Sequence, residues 1–366
     1  MKTTFFEYQI NDADMISAIW KNAFFVFDTN VLLSLYRYSK DTSDMFIKVI
    51  SELNDRVWLP YQVGLEFYRN RLQVVSEQKK QYEIFRKEFK DLIDKIENKN
   101  RNPFFSQTLT DKITDINIQL NCEIDNIITQ YDNFICEDPI LKQIHCIFDK
   151  KIGKEYQIDK YNAIIKDGNE RYKNRIPPGY CDEKKSNNDK FGDLILWNQI
   201  IDKAKEIQNE IIFILDDRKE DWWLEHQGKT ISPRPELIKE FKTTTNRLIH
   251  FYKPFQFLEY SKVYLNKDIQ KETIEEVRSY IVNDSNSNIL IIKVELSGPV
   301  QGINKLIKIL EATGYKLTSE IDSNTNIHFL NITLPDIPDL ERRLYSRHLS
   351  SLEDYNLILN RIDKSV

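Results

Sequence analysis

FFVFDTN, residues 24–30, decides the fold. Four apolar residues run without interruption into an aspartate, a threonine and an asparagine. A short continuous apolar run is the pattern of a strand buried on both faces of a parallel sheet. The polar triplet then has two readings. It ends the strand and leaves Asp28 at the carboxyl edge of a sheet, where ligands bind in open α/β folds, or Asp28 simply caps the helix that VLLSLYRY begins.

The flanking sequence continues the alternation. A helix is expected at about 42–54, and RVWLP (56–60) reads as a second short strand stopped by Pro60. YQVGLEFYRNRLQVV follows, with Val63, Phe67 and Val74 at helical spacing. From about 71 to 174 strand signals vanish, and charged stretches such as EQKKQYEIFRKEFKDLIDKIENKN place Phe85, Phe89, Leu92, Ile93 and Ile96 at three- and four-residue steps. This predicts a helical insertion, most simply an antiparallel hairpin packed on the main domain. After RIPPGYCDEKKSNNDK the alternation resumes: FGDLILWNQIIDKAKEI as a helix, EIIFIL (210–215) as an interior strand, PELIKEF as a helix and RLIHFYKPF as a last strand. The sum is an α/β domain over residues 1–265, three layers about a parallel central sheet. From 270 to 366 a smaller unit is expected: helix, strand (NILIIKVELS), helix (VQGINKLIKILEATG), strand (YKLTSEI), strand (NIHFLNITL) and helix (LERRLYSR). That order suggests an α+β sandwich of the ferredoxin-like sort. The polar stretch NDSNSN (283–288) reads as a turn.

Composition narrows the class. With 41% hydrophobic and 30% charged residues the chain reads as a globular protein, and only 9 glycines in 366 residues argue against a glycine-rich all-β design. No window approaches the ~18 apolar residues of a membrane span, so a cytoplasmic location is expected. Cys122, Cys136, Cys146 and Cys181 lack zinc-finger spacing and are expected as reduced thiols. The net charge of −5 means that the molecule as a whole repels phosphate polymers, so any nucleic-acid contact must be local.

With 57 acidic residues, an acid gains interest only from its position. Asp28 ends the first strand, Glu66 lies in the helix after the second, Asp193 opens the helix that resumes the fold, and Asp216 and Asp217 follow the strand EIIFIL. Each has a plain structural reading: a cap, a solvated helix residue, a first-turn acid favoured by the helix dipole, a turn. Together they describe something else. Clustered carboxylates raise one another's pKa and destabilise a fold unless a cation neutralises them. All-oxygen ligands without histidine or cysteine favour Mg²⁺ or Mn²⁺, and two such ions about 4 Å apart are the usual clamp for phosphodiester hydrolysis.

FFVFDTNVLL, LPYQVGLEFYRNR, IPPGYCDEKK, FGDLILWNQII and IIFILDDRKEDWW, in that order, resemble the PIN-like branch of the PIN nuclease superfamily over about residues 20–255. The resemblance implies a Rossmann-like sheet and a metal-dependent nuclease, most often an endoribonuclease, with Mg²⁺ or Mn²⁺ held by Asp28, Glu66, Asp193 and Asp217. It also implies a supporting role for Asn30, and for Glu220 and Asp221 as recurrent parts of the last motif. Many PIN proteins carry threonine or serine two residues before the last acid, where this chain has Leu215. Asp216 therefore stays beside Asp217 as a candidate metal ligand, with Asp217 favoured by register. Asp182 is a further candidate for completing the site with Lys184 and Lys185. The local cations Arg69, Arg71, Lys184, Lys185, Arg218 and Lys219 are the expected contacts to a substrate backbone. RNA is favoured over DNA by the resemblance, which also fits a bacterial defence or stress-response setting. The helical insertion and the C-terminal unit are the expected surfaces for targeting, for a regulatory protein partner or for homo-oligomerisation.

Three competing readings follow from the same residues. An aspartate-nucleophile phosphatase requires a general acid two residues after Asp28, where Asn30 cannot supply a proton. A DNA nuclease of the same superfamily lacks a recognisable helix-hairpin-helix here. An inert nucleic-acid-binding module would carry clustered acids without use. Trp222 and Trp223 read as core aromatics rather than base-stacking platforms.

Overall fold

The structure, a computed structural model, describes residues 1, 4–8, 13–97, 104–185, 187–226, 229–284, 289–297, 299–312, 316–322, 327–335, 352 and 358–365. Helix α1 (Ala13–Asn22) leads into β1 (Phe24–Phe27), followed by α2 (Thr29–Ser34), α3 (Lys40–Ser51), α4 (Tyr61–Glu97), α5 (Gln107–Asn133), α6 (Pro139–Phe148), α7 (Ile158–Lys173) and α8 (Gly192–Ile207). Then come β2 (Ile211–Ile214), an antiparallel ribbon of β3 (Trp223–His226) and β4 (Lys229–Pro233), α9 (Pro235–Thr245), β5 (Ile249–Tyr252), α10 (Pro254–Tyr264) and α11 (Lys271–Asp284).

Strands β1, β2 and β5 form a parallel sheet in the order β1-β2-β5, with Phe25, Ile212 and His250 in register. Alternation of side chains explains why these short strands are apolar throughout. Phe25 and Phe27 face Trp20 of α1 and Phe257 of α10. On the opposite face, Phe213 and Phe251 meet Trp222, and Phe251 meets Trp197 of α8. Trp20, Trp197, Trp222, Phe25, Phe27, Phe213 and Phe257 are all fully buried, and each contributes roughly 1.5–3 kcal/mol of transfer free energy or somewhat more. Helices thus cover both faces, as the alternating strand and helix pattern predicts.

The segment RVWLP is not a full strand. It pairs with β1 through a bridge between Phe25 and Val57, with Trp58 N donating to Phe25 O at 3.1 Å, and its other edge meets Ile152 through Leu59. Pro60, which cannot donate a ladder hydrogen bond, and the immediate start of α4 leave no length for pairing. The insertion is helical, and α4 runs unbroken from the main domain into it. Ion pairs Lys79–Asp132 and Arg86–Asp125 join later residues of α4 to earlier ones of α5, which makes the two an antiparallel hairpin. Of the expected stripe Ile93 is buried, as is Ile124 of α5, whereas Phe85 and Leu92 are half exposed. All four cysteines are free thiols.

The chain divides into two compact units, Met1–Arg278 and Ser279–Val366, so that the division falls within α11 where the sequence placed it between 265 and 270. The second unit contains β6 (Ile289–Ser297), α12 (Val300–Ala312), β7 (Lys316–Asp322), β8 (Ile327–Pro335) and β9 (Ile358–Ser365), which form an antiparallel sheet in the order β7-β8-β6-β9. Strand β9 was not read from sequence. The expected helix LERRLYSR and residues 285–288 of the NDSNSN turn lie outside the described residues.

Candidate functional site

Both readings of the opening heptapeptide are true of the same residue. Asp28 N donates to Ile214 O at 2.9 Å, extending the β1–β2 pairing by one residue, while the Asp28 side chain caps α2 by accepting from Asn30 N at 3.3 Å. Asn30 Nδ2 in turn donates to Asp216 O at 3.3 Å, tying the ends of β1 and β2 together. Asp28 and the segment 215–217 therefore share the carboxyl edge of the sheet.

Glu66 reaches this edge from α4. Its Oε2 accepts from Thr29 Oγ1 at 3.1 Å and its Oε1 from Gln62 Nε2 at 2.6 Å. Where α4 approaches the start of α8, a Cβ on Gly192 would lie 2.6 Å from Glu66 Oε1, so any larger residue would push that carboxylate aside. Asp193 follows that glycine, and its Oδ2 accepts from the fully buried Trp222 Nε1 at 3.4 Å. Asp182 is carried by a single helical turn, Tyr180–Asp182, that follows Gly179 at φ 93°, a left-handed conformation that favours glycine. Asp221, which is completely buried, fastens that turn: its Oδ2 accepts from Gly179 N at 2.9 Å and Cys181 N at 3.0 Å, while its Oδ1 has no hydrogen-bond partner among the described residues.

Electrostatics shows which acids share one environment. Burial raises the Asp28 carboxyl well above the ordinary range, and the charges of Asp193, Asp217 and Glu66 add to the effect. Burial also pushes Asp193 up to about 7; Lys219 opposes this, and Asp217, Asp182 and Glu66 reinforce it. The four acids expected from sequence are thus mutually repelling neighbours, with Asp182 as a fifth. Asp217, after β2, is an acid whose charge raises both Asp28 and Asp193. Asp217 Oδ1 accepts from Lys219 N at 2.7 Å, and its carbonyl accepts from Trp223 Nε1 at 2.6 Å.

Lys219 is the largest departure from expectation. Instead of reaching outward for substrate, its Nζ lies 3.0 Å from Asp182 Oδ2, 3.3 Å from Asp193 Oδ2 and 3.2 Å from Asp217 Oδ2. Burial alone would depress the ammonium, but Asp193, Asp217 and Asp182 hold it well above the ordinary lysine value. Arg71 also leaves the expected substrate-contact set. It is buried and paired at 2.5 Å with Asp138, which caps α6 and accepts from Tyr36. Glu220 is exposed and pairs with Arg175 rather than supporting the acids. Arg69 is exposed, with Asp189 at 3.6 Å; Lys184 is exposed; Lys185 pairs with Asp182 at 2.7 Å; Arg218 is half-buried.

Thr29, Gln62, Gly192, Trp222 and Trp223 were not read as supports of the site. Threonine after a strand-ending acid, and glycine before a helix-opening one, were the signals that were present. The tryptophan indoles lie in the core, as expected, yet also donate to Asp193 and to the Asp217 carbonyl.

The donor set suits a hard divalent cation, since it is all carboxylate and carries more negative charge than one ammonium neutralises. Its positions do not yet form a ligand shell: among the described residues no group of three histidine, cysteine, aspartate or glutamate side chains is arranged to hold a metal ion. Three of the carboxylates are instead directed at the Lys219 ammonium.

A parallel α/β domain with buried acids at the carboxyl edge of its sheet defines the class, and comparison with known families agrees. The chain belongs to the PIN-like domain family, whose model matches residues 24–237, more than half of the chain. PIN-like domains are generally metal-dependent nucleases, and membership implies a nucleic-acid substrate. No curated protein and no solved structure matches the chain. Among the described residues no helix is long and apolar enough to cross a membrane.

Proposed function

We propose that this chain is a metal-dependent endonuclease, with RNA the favoured substrate over DNA, that hydrolyses phosphodiester bonds at the pocket formed by Asp28, Glu66, Asp193 and Asp217. The observation that carries the reading is the mutual electrostatic coupling of these acids, which come from separate segments of the chain yet raise the protonation range of Asp28 and Asp193. Such repulsion is unfavourable for folding, and its use is to bind cations.

In this reading Asp28, Glu66, Asp193 and Asp217 would hold Mg²⁺ or Mn²⁺, with Asp182 closing the site. When bound, the ion supplies Lewis-acid polarisation of the scissile phosphate and charge neutralisation at the leaving oxygen. Thr29 and Gln62 orient the Glu66 carboxylate, Trp222 orients Asp193, and Asn30 fixes the spacing of the two strand ends. Arg69, Lys184 and Arg218 serve as local phosphate contacts on a molecule whose net charge is −5. The C-terminal unit, read as ferredoxin-like, and the helical hairpin serve targeting or a protein partner; a defence or stress-response role extends the family resemblance alone.

The test is Mn²⁺-dependent cleavage of total RNA, single-stranded DNA and duplex DNA, run beside Asp28→Asn and Asp193→Asn. Cleavage of RNA that both substitutions abolish supports the reading. Equal cutting by wild type and both variants would trace the activity to a contaminant, and preference for either DNA would overturn the substrate assignment.

A further inference from the structure

We infer that Lys219 is the resident cation of the acid pocket, a competitor that a divalent ion must displace in order to bind. The inference rests on the metal-site reading above and adds to it a role for a residue outside the ligand set.

The geometry is that of an occupied cation site. One ammonium lies between 3.0 and 3.3 Å from an oxygen of each of three carboxylates, Asp182, Asp193 and Asp217, contributed by the turn after Gly179, the start of α8 and the segment after β2. Lys219 is held there from its backbone as well, because its N–H donates to Asp217 Oδ1 at 2.7 Å. Its side chain is 31% exposed, less than that of Lys185, which is 57% exposed and pairs with Asp182. Two of the carboxylates that face Lys219, Asp193 and Asp217, belong to the proposed ligand set, and the third, Asp182, would close it. A carboxylate oxygen coordinates Mg²⁺ at about 2.0–2.1 Å, and an ammonium about 3 Å from the same oxygens would face the ion at short range, where like charges repel strongly. The two cations therefore compete for these carboxylates.

The tether permits the exchange. The lysine stem is flexible, with a compact terminal charge, so the ammonium can leave the pocket while Lys219 N stays bonded to Asp217. Once expelled, it lies at the mouth of a site built for phosphate. Metal loading would thereby convert Lys219 from a counter-ion of the acids into a contact for the nucleic-acid backbone, so that ion and substrate binding reinforce each other.

The experiment measures Mn²⁺ binding to the full chain by loss of the free-ion electron paramagnetic resonance signal, in wild type, Lys219→Met and Lys219→Arg. If the ammonium leaves the site competent in a tenth of molecules or fewer, removing it tightens Mn²⁺ binding about tenfold or more; Lys219→Met should do so, and Lys219→Arg should not. As a check that needs no variant, acylation of wild-type lysines read by peptide mass should show Lys219 protected in EDTA and labelled faster, relative to Lys203, when Mn²⁺ is added. Equal or weaker Mn²⁺ affinity in Lys219→Met, or labelling of Lys219 that Mn²⁺ leaves unchanged or slows, would overturn the competition while leaving the metal site standing. Binding of Mn²⁺ by neither protein would overturn the metal-site reading and this inference with it.

Discussion

Replacing Asp193 with asparagine should make the metal-free protein more stable at pH 8 even as it abolishes cleavage. The Asp193 side chain is 22% exposed, and its carboxyl is raised by burial from 3.8 to about 7, with the Lys219 ammonium opposing and Asp217, Asp182 and Glu66 adding. A carboxyl that holds its proton more tightly when folded favours the folded state most at low pH. That advantage is lost as pH rises from the unfolded value toward about 7, and the ionised group is a full liability above it. At about 1.4 kcal/mol per pH unit the interval amounts to at most roughly 4 kcal/mol. Asparagine keeps the volume, and its carbonyl can still accept from Trp222 Nε1, but it forfeits one of the three charge contacts to Lys219. The rise to about 7 is already net of the opposing Lys219 charge, and solvent around a partly exposed carboxylate halves the ceiling, which leaves a gain of about 2 kcal/mol, or roughly 3–4 °C in the unit Met1–Arg278. Thermal unfolding in EDTA at pH 4, 6 and 8 provides the measurement. The gain should be greatest at pH 8 and shrink toward zero at pH 4, where wild-type Asp193 is itself largely protonated in the fold. A variant less stable than wild type at pH 8, or a difference independent of pH, would refute the argument that this carboxylate is held against its own repulsion.

Asp28→Asn should show the same sign of pH-dependent stabilisation in EDTA, because burial and three neighbouring acids raise Asp28 and asparagine can still cap α2. Asp138→Ala should cost about 3–5 kcal/mol in urea denaturation, since it strands the buried Arg71 guanidinium and removes the cap that accepts from Leu141 N at 2.8 Å. Gly192→Ala should leave the protein folded by circular dichroism but lower cleavage about tenfold or more, because its Cβ would displace a Glu66 carboxylate 2.6 Å away. Arg69→Ala and Arg218→Ala should each weaken single-stranded RNA binding and reduce the slope of log affinity against log salt by about 0.7; unchanged slopes would remove these side chains from the substrate path.

Much of this architecture is legible in the sequence because its strands are apolar on both faces. FFVF and IIFI admit no solvent-exposed side, so their placement inside a parallel sheet follows from burial alone, and the acids that follow them fall on one edge. RVWLP has the same composition but ends in a proline, and its pairing is reduced to single bridges. The β3–β4 ribbon escaped notice because WLEH and KTISP alternate poorly. The stripe of α4 was placed only in part, Ile93 being buried and Phe85 and Leu92 not, because aromatic and aliphatic residues occupy adjacent faces of a charged helix and the partner helix α5 decides which face is covered. Positions of acids could be anticipated from strand ends; the destination of a cation could not. Arg71 and Lys219 both stand near motif acids in sequence, but one pairs with Asp138, 67 residues away, and the other with three carboxylates at once. Charge alone does not distinguish a lysine that meets substrate from one that stands in its place.

The segment DDRKEDWW shows why the acids cannot be considered singly. Within seven residues of Asp216 it divides the work of the pocket among groups that face different ways. Asp217 enters the acid cluster, Lys219 offsets part of its charge, and Asp221 turns back to fasten the loop that carries Asp182. The two indoles bind Asp193 and the carbonyl of Asp217 from the core side. A stretch with alternate acids and bases would ordinarily be a solvated turn after a strand. Here the pair of tryptophans changes that outcome: by burying Trp222 and Trp223 against Phe213 and Phe251, the chain pulls the preceding charges off the surface and into contact with α8 and the turn after Gly179. Hydrophobic burial thus supplies the driving force that holds like charges together, and the unfavourable electrostatics that results is what gives the pocket its capacity to take up a cation.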